Sequence, residues 1–210
     1  MSKPPSPPDD RNAQGFSRRS FLKTAGVGAA ATGLVGVAAT ARAATVLGPG
    51  PVPLSLKVNG AIRTATVEPR VTLLSALRNH LDLTGAKQVC DRGGCGACTV
   101  LVDGEPVASC LMLAADAVGH EVTTVEGLGT PEKMSPLQAA FVECDGLQCG
   151  FCTPGFVVAG TALLRKVPNP SLDQVKDGLA GNLCRCGTYS RVFEAVQKAA
   201  KSMAAAPKRG

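Results

Sequence analysis

The 210-residue chain contains no tryptophan, a single tyrosine and only 3% aromatic residues, so its apolar core has to be built from Leu, Val and Ala. Two histidines are few as well, which argues against a Rieske centre or a Cys/His zinc finger, since both need imidazole ligands. A real excess of positive charge is missing too. The formal net charge is +6, but residues 1–43 hold six of the 22 Lys/Arg and two of the 16 Asp/Glu, which leaves 16 against 14 for the remainder. Basicity belongs mainly to the beginning of the chain, and nucleic acid loses its support as a partner.

The sequence also lacks a strongly apolar run of membrane-spanning quality. The uncharged stretch from Thr24 to Ala41 is mostly Ala, Gly and Thr, with only Val27, Leu34, Val35 and Val37 strongly apolar. It follows Ser17-Arg18-Arg19-Ser20-Phe21-Leu22-Lys23, a twin-arginine signature, and precedes Ala41-Arg42-Ala43, a small-x-small cleavage motif. Residues 1–16 are rich in Pro, Asp and Ser without apolar periodicity and are expected to be disordered. We therefore read residues 1–43 as a cleaved twin-arginine signal peptide. The expected mature protein is periplasmic, handled by the twin-arginine translocase and not integral to the membrane.

What the chain does have is cysteine, nine residues in all. Cys90, Cys95, Cys98 and Cys110 follow the C-x4-C-x2-C spacing, with a distant fourth ligand, of a plant-type [2Fe–2S] site. Gly93, Gly94 and Gly96 allow the backbone to fold tightly and aim N–H groups at sulfur. Thr99-Val100-Leu101-Val102 predicts a strand, Asp103-Gly104 a tight turn and Glu105 to Ser109 the return strand, which brings Cys110 back beside Cys98. The twin-arginine signature and the thiols are chemically consistent. That route exports folded proteins, so a cluster would be inserted in the reducing cytoplasm before bare thiols met an oxidising compartment.

Before this loop, alternation of Leu54, Leu56 and Val58 with Ser55 and Lys57 predicts a half-buried strand over Val52 to Val58, and Asn59-Gly60 turns it into a second strand through Val67. Thr72 is positioned to cap a helix carrying Leu73, Leu74, Leu77 and Leu81. A helical turn near Leu111–Ala115 and a last strand around Glu121–Val125 complete a first domain over residues 52–126. Composition changes after Gly127. Ser135-Pro136 opens a helix to about Cys144, Thr153-Pro154 a second to about Lys166, and the capping box Ser171-Leu172-Asp173-Gln174 a third that Gly181 ends. A fourth runs from about Ser190 to Met203, with Val192, Val196, Ala199 and Met203 on one face. Residues 134–203 thus form a helical second domain, and the fold class is α+β.

The helical half carries a second set of thiols: Cys149-Gly150-Phe151-Cys152 and Cys184-Arg185-Cys186. Each pair lies in a turn leading to a helix start, where free N–H groups and the positive end of the dipole favour an anionic thiolate site. Four thiolates suit either a second iron–sulfur cluster or a tetrahedral zinc ion, although zinc ribbons more often pair two C-x2-C knuckles. Arg92 and Arg185 sit inside the two loops, as charges that favour a reduced cluster or as ordinary surface charges. Cys144 is left over as a small buried thiol.

Taken together, the spacing of Cys90, Cys95, Cys98 and Cys110, followed by Gln148-Cys149-Gly150-Phe151-Cys152-Thr153-Pro154-Gly155 and Asn182-Leu183-Cys184-Arg185-Cys186-Gly187-Thr188-Tyr189, resembles the iron–sulfur subunit of the xanthine oxidase family of molybdenum hydroxylases. With the leader, the chain is most similar to the periplasmic aldehyde oxidoreductase type. The resemblance covers residues 52–202. It implies a β-grasp, plant-ferredoxin-like domain followed by a four-helix [2Fe–2S]-binding domain, with two [2Fe–2S] clusters held by the eight cysteines other than Cys144. It further implies a large partner subunit carrying a molybdopterin cofactor, approached by Gln148 and Cys149, and an FAD subunit or a cytochrome as acceptor. On this resemblance the chain is a non-catalytic electron relay. A related hydroxylase acting on an N-heterocycle, a free-standing exported ferredoxin, and a zinc-bound or disulfide-stapled module are the alternatives.

Overall fold

The computed structural model describes residues 47–205; the leader, with its arginine pair and cleavage motif, lies outside the described residues. Strand β1 (Val52–Val58) buries Leu54, Leu56 and Val58 and exposes the residues between Pro53 and Lys57 that alternate with them, as a period of two demands. Asn59 takes a positive φ of 52° and Gly60 one of 77°, the two left-handed positions that a two-residue hairpin needs. The chain then returns as β2 (Ala61–Val67), antiparallel to β1. Helix α1 (Leu73–His80) starts where Thr72 Oγ1 accepts the N–H of Ser75 at 3.2 Å, and it presses Leu73, Leu74, Ala76 and Leu77 onto the sheet. Leu81 falls just past its end.

After the first cysteine loop, β3 (Thr99–Val102) and β4 (Glu105–Ala108) form the expected hairpin, and β5 (Glu121–Thr123) runs parallel to β1 and antiparallel to β3. The sheet order is β2-β1-β5-β3-β4, so a late, short strand closes its centre. That strand is shorter than the Glu121–Val125 pattern indicates. Asn59 accepts the N–H of Thr124 at 2.9 Å and donates to its hydroxyl at 3.0 Å, which ends the ladder and bends the chain into a 3-10 turn at Val125–Gly127. The preceding helical turn lies at Ala115–Ala117, a few residues later than Leu111–Ala115.

Four further helices follow: α2 (Pro136–Glu143), α3 (Thr153–Lys166), α4 (Leu172–Gly178) and α5 (Tyr189–Ala205). Ser135 with Gln138, and Ser171 with Gln174, make reciprocal capping boxes at α2 and α4. Helix α4 stops at Gly178, three residues before Gly181, where the bonding tightens to the i→i−3 contacts of Ala180 N–H with Asp177 and Asn182 N–H with Leu179. Tyr189 already belongs to α5, while Met203 near its end is 43% exposed and packs no core.

Helix α3 is the organising element. Every residue from Gly155 to Gly160 is buried, the signature of a helix covered on all sides. One face gives Phe156, Val157 and Ala159 to a core shared with Leu137 and Phe141 of α2 and Val192, Val196 and Ala199 of α5. Its other face gives Val158 and Ala162 to Leu101 of β3, a small apolar seam between the helical core and the sheet. Gly160 matters for this packing, since a Cβ there would stand 2.9 Å from a Leu137 methyl. The helix begins directly after Cys152, so the scaffold that joins the two halves also carries the second cysteine loop.

Candidate metal centres

All nine cysteines are free thiols, none in a disulfide. The first set is arranged by the backbone. Gly93 and Gly96 have φ values of 73° and 68°, and Cβ atoms there would meet a Leu111 methyl and the Asn182 side chain at 2.5 Å each. This turn points N–H groups at sulfur. Gly93 N–H donates to Cys110 Sγ at 3.3 Å, and the N–H groups of Arg92, Gly94 and Cys95 converge on Cys90. The N–H of Arg92, then the neighbouring Cys95 thiol, hold Cys90 down to about 7. Burial, reinforced by Cys98, pushes Cys110 up. The β3–β4 hairpin brings Cys110 against Cys98, and Ser109 Oγ donates to the Cys98 carbonyl at 2.7 Å.

The second set is held by two turns. Cys149 and Cys186 approach to 3.6 Å between sulfurs, and Cys152 interacts with Cys184. The N–H of Phe151 lowers Cys149, and burial lifts Cys152 to about 12. At Cys184 burial opposes ionisation, but the hydroxyl and N–H of Thr188, four residues on, hold it down to about 7. Cys184 Sγ lies 3.1 Å from Thr188 Oγ1, and the Cys184 N–H donates to the Tyr189 hydroxyl at 2.8 Å. Thr188 and Tyr189 are therefore part of this site, although no role follows for them from the cysteine spacing alone. A hydroxyl four residues after a thiol, at a helix start, is the signal that marks them.

Within each set the thiols act on one another: the Cys149 and Cys186 sulfurs lie 3.6 Å apart, and neighbouring thiols shift Cys90, Cys110 and Cys152. Among the described residues, no group of three or more His, Cys, Asp or Glu side chains is placed to hold a single metal ion. Four thiols in each loop, with backbone N–H groups donating to Cys90 and Cys110, suit the negative charge of a thiolate-bound two-iron core.

Other candidate residues are also placed. Gln148 and Cys149 are exposed beside one another, while Cys144 is buried at the end of α2. Arg92 is exposed, and its Nε donates to the Cys90 carbonyl at 3.2 Å, so its charge sits beside the first set. Arg185 lines a cavity of about 100 Å³ that also touches Cys95, Cys149 and Cys152.

The fold and the two sets of thiols define a two-site [2Fe–2S] protein, and comparison with known proteins agrees. Residues 56–123 match the 2Fe-2S iron-sulfur cluster binding domain, residues 124–197 the [2Fe-2S] binding domain, and residues 15–35 the twin-arginine translocation pathway signal sequence. The aldehyde oxidoreductase iron-sulfur-binding subunit PaoA of Escherichia coli K12 is 41% identical over 206 residues, covering 88% of each chain. The nicotine 6-hydroxylase small subunit of Paenarthrobacter nicotinovorans is 49% identical over 145 residues, covering 69% of this chain and 87% of that protein. Quinoline 2-oxidoreductase from Pseudomonas putida 86 superposes with a TM-score of 0.70 at 43% identity, covering 72% of this chain and 95% of that one. The chain belongs to the iron–sulfur subunits of the xanthine oxidase family of molybdenum hydroxylases, the non-catalytic electron-transfer components of these oxidoreductases. It carries an export signal, and among the described residues no helix is long and apolar enough to cross a membrane.

Proposed function

We propose that this chain is the electron-transfer subunit of a periplasmic, molybdenum-dependent aldehyde oxidoreductase. The observation that carries the reading is the gathering of eight free thiols into two adjoining loops, with the Cys149 and Cys186 sulfurs 3.6 Å apart and Cys95, Cys149 and Cys152 around one cavity. The aldehyde is oxidised to a carboxylic acid on a large partner subunit holding the molybdopterin cofactor, so no residue of this chain touches the reacting carbon. When bound, the two [2Fe–2S] clusters supply one-electron relays from the partner's molybdenum centre to an FAD subunit or another acceptor. In this reading Cys149, Cys152, Cys184 and Cys186 hold the relay nearer molybdenum, and Cys90, Cys95, Cys98 and Cys110 the one nearer the acceptor.

The chain's own residues set the environment of these relays. N–H groups from Arg92 to Cys95, and the Thr188 hydroxyl, stabilise negative charge on sulfur. Gln148 and Cys149 are open to solvent, as contact with the molybdopterin cofactor requires. Val89, Phe151 and Leu183 are each more than half exposed around the same loops, an apolar rim suited to burial under a partner subunit. Aldehyde rather than N-heterocycle chemistry is favoured by PaoA, whose similarity reaches over 88% of the chain, against 69% for the nicotine hydroxylase subunit.

Iron analysis of anaerobically purified protein tests the reading. Expected are about four irons per chain and visible absorption that bleaches with dithionite, together with a copurifying molybdenum subunit and oxidation of aldehydes. A colourless, iron-free protein refutes it.

A further inference from the structure

The two cysteine loops come from segments far apart in sequence, and only a few polar contacts fix how closely they approach. Asn182 stands between them. It is 6% exposed, its Nδ2 donates to the Gly96 carbonyl at 2.9 Å, and the next N–H, of Leu183, donates to the Cys95 carbonyl at 2.9 Å. Among the described residues, this is the one side-chain hydrogen bond from the first loop, residues 90–98, to any residue beyond 127. Thr99 Oγ1, at the start of β3, donates to the same Gly96 oxygen at 2.7 Å. On the other side, Gly155 at the start of α3 lies so close that a Cβ would stand 2.3 Å from Gly96 O and 3.1 Å from Asn182 Nδ2. The seam is thus a buried amide between two glycines, with cysteine ligands on both sides: Cys95 next to Gly96, and Cys184 two residues after Asn182.

We infer that Asn182 is a positioning residue that sets the separation of the two cysteine sets, acting through its hydrogen bond to Gly96 and the absence of a side chain at Gly155. The inference rests on the reading of both sets as [2Fe–2S] sites. Asparagine suits the position because its amide supplies a donor at fixed reach with a short, stiff side chain. Without that donor the Gly96 carbonyl keeps only its Thr99 partners from its own segment, and the bond that ties it to the second loop is lost, which loosens the seam.

The test uses the full chain with both clusters loaded, carrying Asn182→Asp, which keeps the volume but replaces the donor with an acceptor, or Gly155→Ala, which inserts a wedge. The readouts are the mutual splitting of the two paramagnetic signals in dithionite-reduced protein and exchange of the Leu183 amide with deuterium. Both variants should retain both signals, with a narrowed splitting and Leu183 exchange about tenfold faster than in the parent. Either variant keeping both signals with the parent's splitting and amide protection overturns the inference, as does a parent protein whose signals show no splitting. If Asn182→Asp fails to fold, Gly155→Ala decides, because its glycine carries no hydrogen-bonding side chain. A parent protein without iron refutes the iron–sulfur reading instead.

Discussion

The Thr188 hydroxyl lies 3.1 Å from Cys184 Sγ, buried at the turn that opens the last helix. A hydrogen bond to sulfur stabilises the more negative, reduced form of a cluster more than the oxidised form. Thr188→Val should therefore lower the potential of the second site by about 20–60 mV, the one-electron equivalent of a roughly 0.5–1.5 kcal/mol hydrogen bond. The first site's potential should not change. Redox titration followed by electron paramagnetic resonance measures both; an unshifted second potential would show that the hydroxyl points its proton elsewhere.

Cys184→Ser removes a thiol from the second set. The expected result is loss of about half the iron and of one paramagnetic signal, with the other signal kept. Molybdenum-linked turnover should disappear. Loss of both signals would mean that the seam transmits the damage to the first loop.

Leu101 is fully buried, and with Val158 and Ala162 it links the sheet to the central helix. Leu101→Ala is expected to cost about 2–5 kcal/mol, as core truncations do. Because the substitution lies on the seam, thermal unfolding should separate toward two transitions, one for each half. Scanning calorimetry checks this, and a single sharp transition at the parent's temperature would count against the seam's contribution.

The capping box at Ser171 is exposed and remote from both cysteine sets in its bonding, with Ser171 and Gln174 satisfying each other's backbone N–H groups at 2.8 and 3.2 Å. Ser171→Ala should destabilise the protein by about 1 kcal/mol. Iron content should be unaffected. Denaturant titration with a parallel iron assay separates these effects.

Local patterns made much of this fold legible. Leu54, Leu56 and Val58 read as one face of a strand, Asn59-Gly60 and Asp103-Gly104 as hairpin turns, and Thr72, Ser135 and Ser171 as caps, because each signal lies within a few residues of the structure it dictates. Boundaries governed by distant contacts were less legible. The end of β5 depends on Asn59, some 65 positions away. Thr188 and Tyr189 carry only a weak local signal, a hydroxyl four residues after a thiol, and their bonds to Cys184 exist only once the turn before α5 is formed.

Sequence alone determined the chemistry: thiol number, spacing and the glycines around them specify what a tight loop can bind, since ligand type and loop length are local properties. Tertiary structure decided that Cys149 meets Cys186, and how near one set comes to the other. Those distances depend on α3 being buried on every side and on Asn182 reaching Gly96 across 86 positions of chain. No local pattern encodes such a contact, because it exists only when two separately formed surfaces pack together.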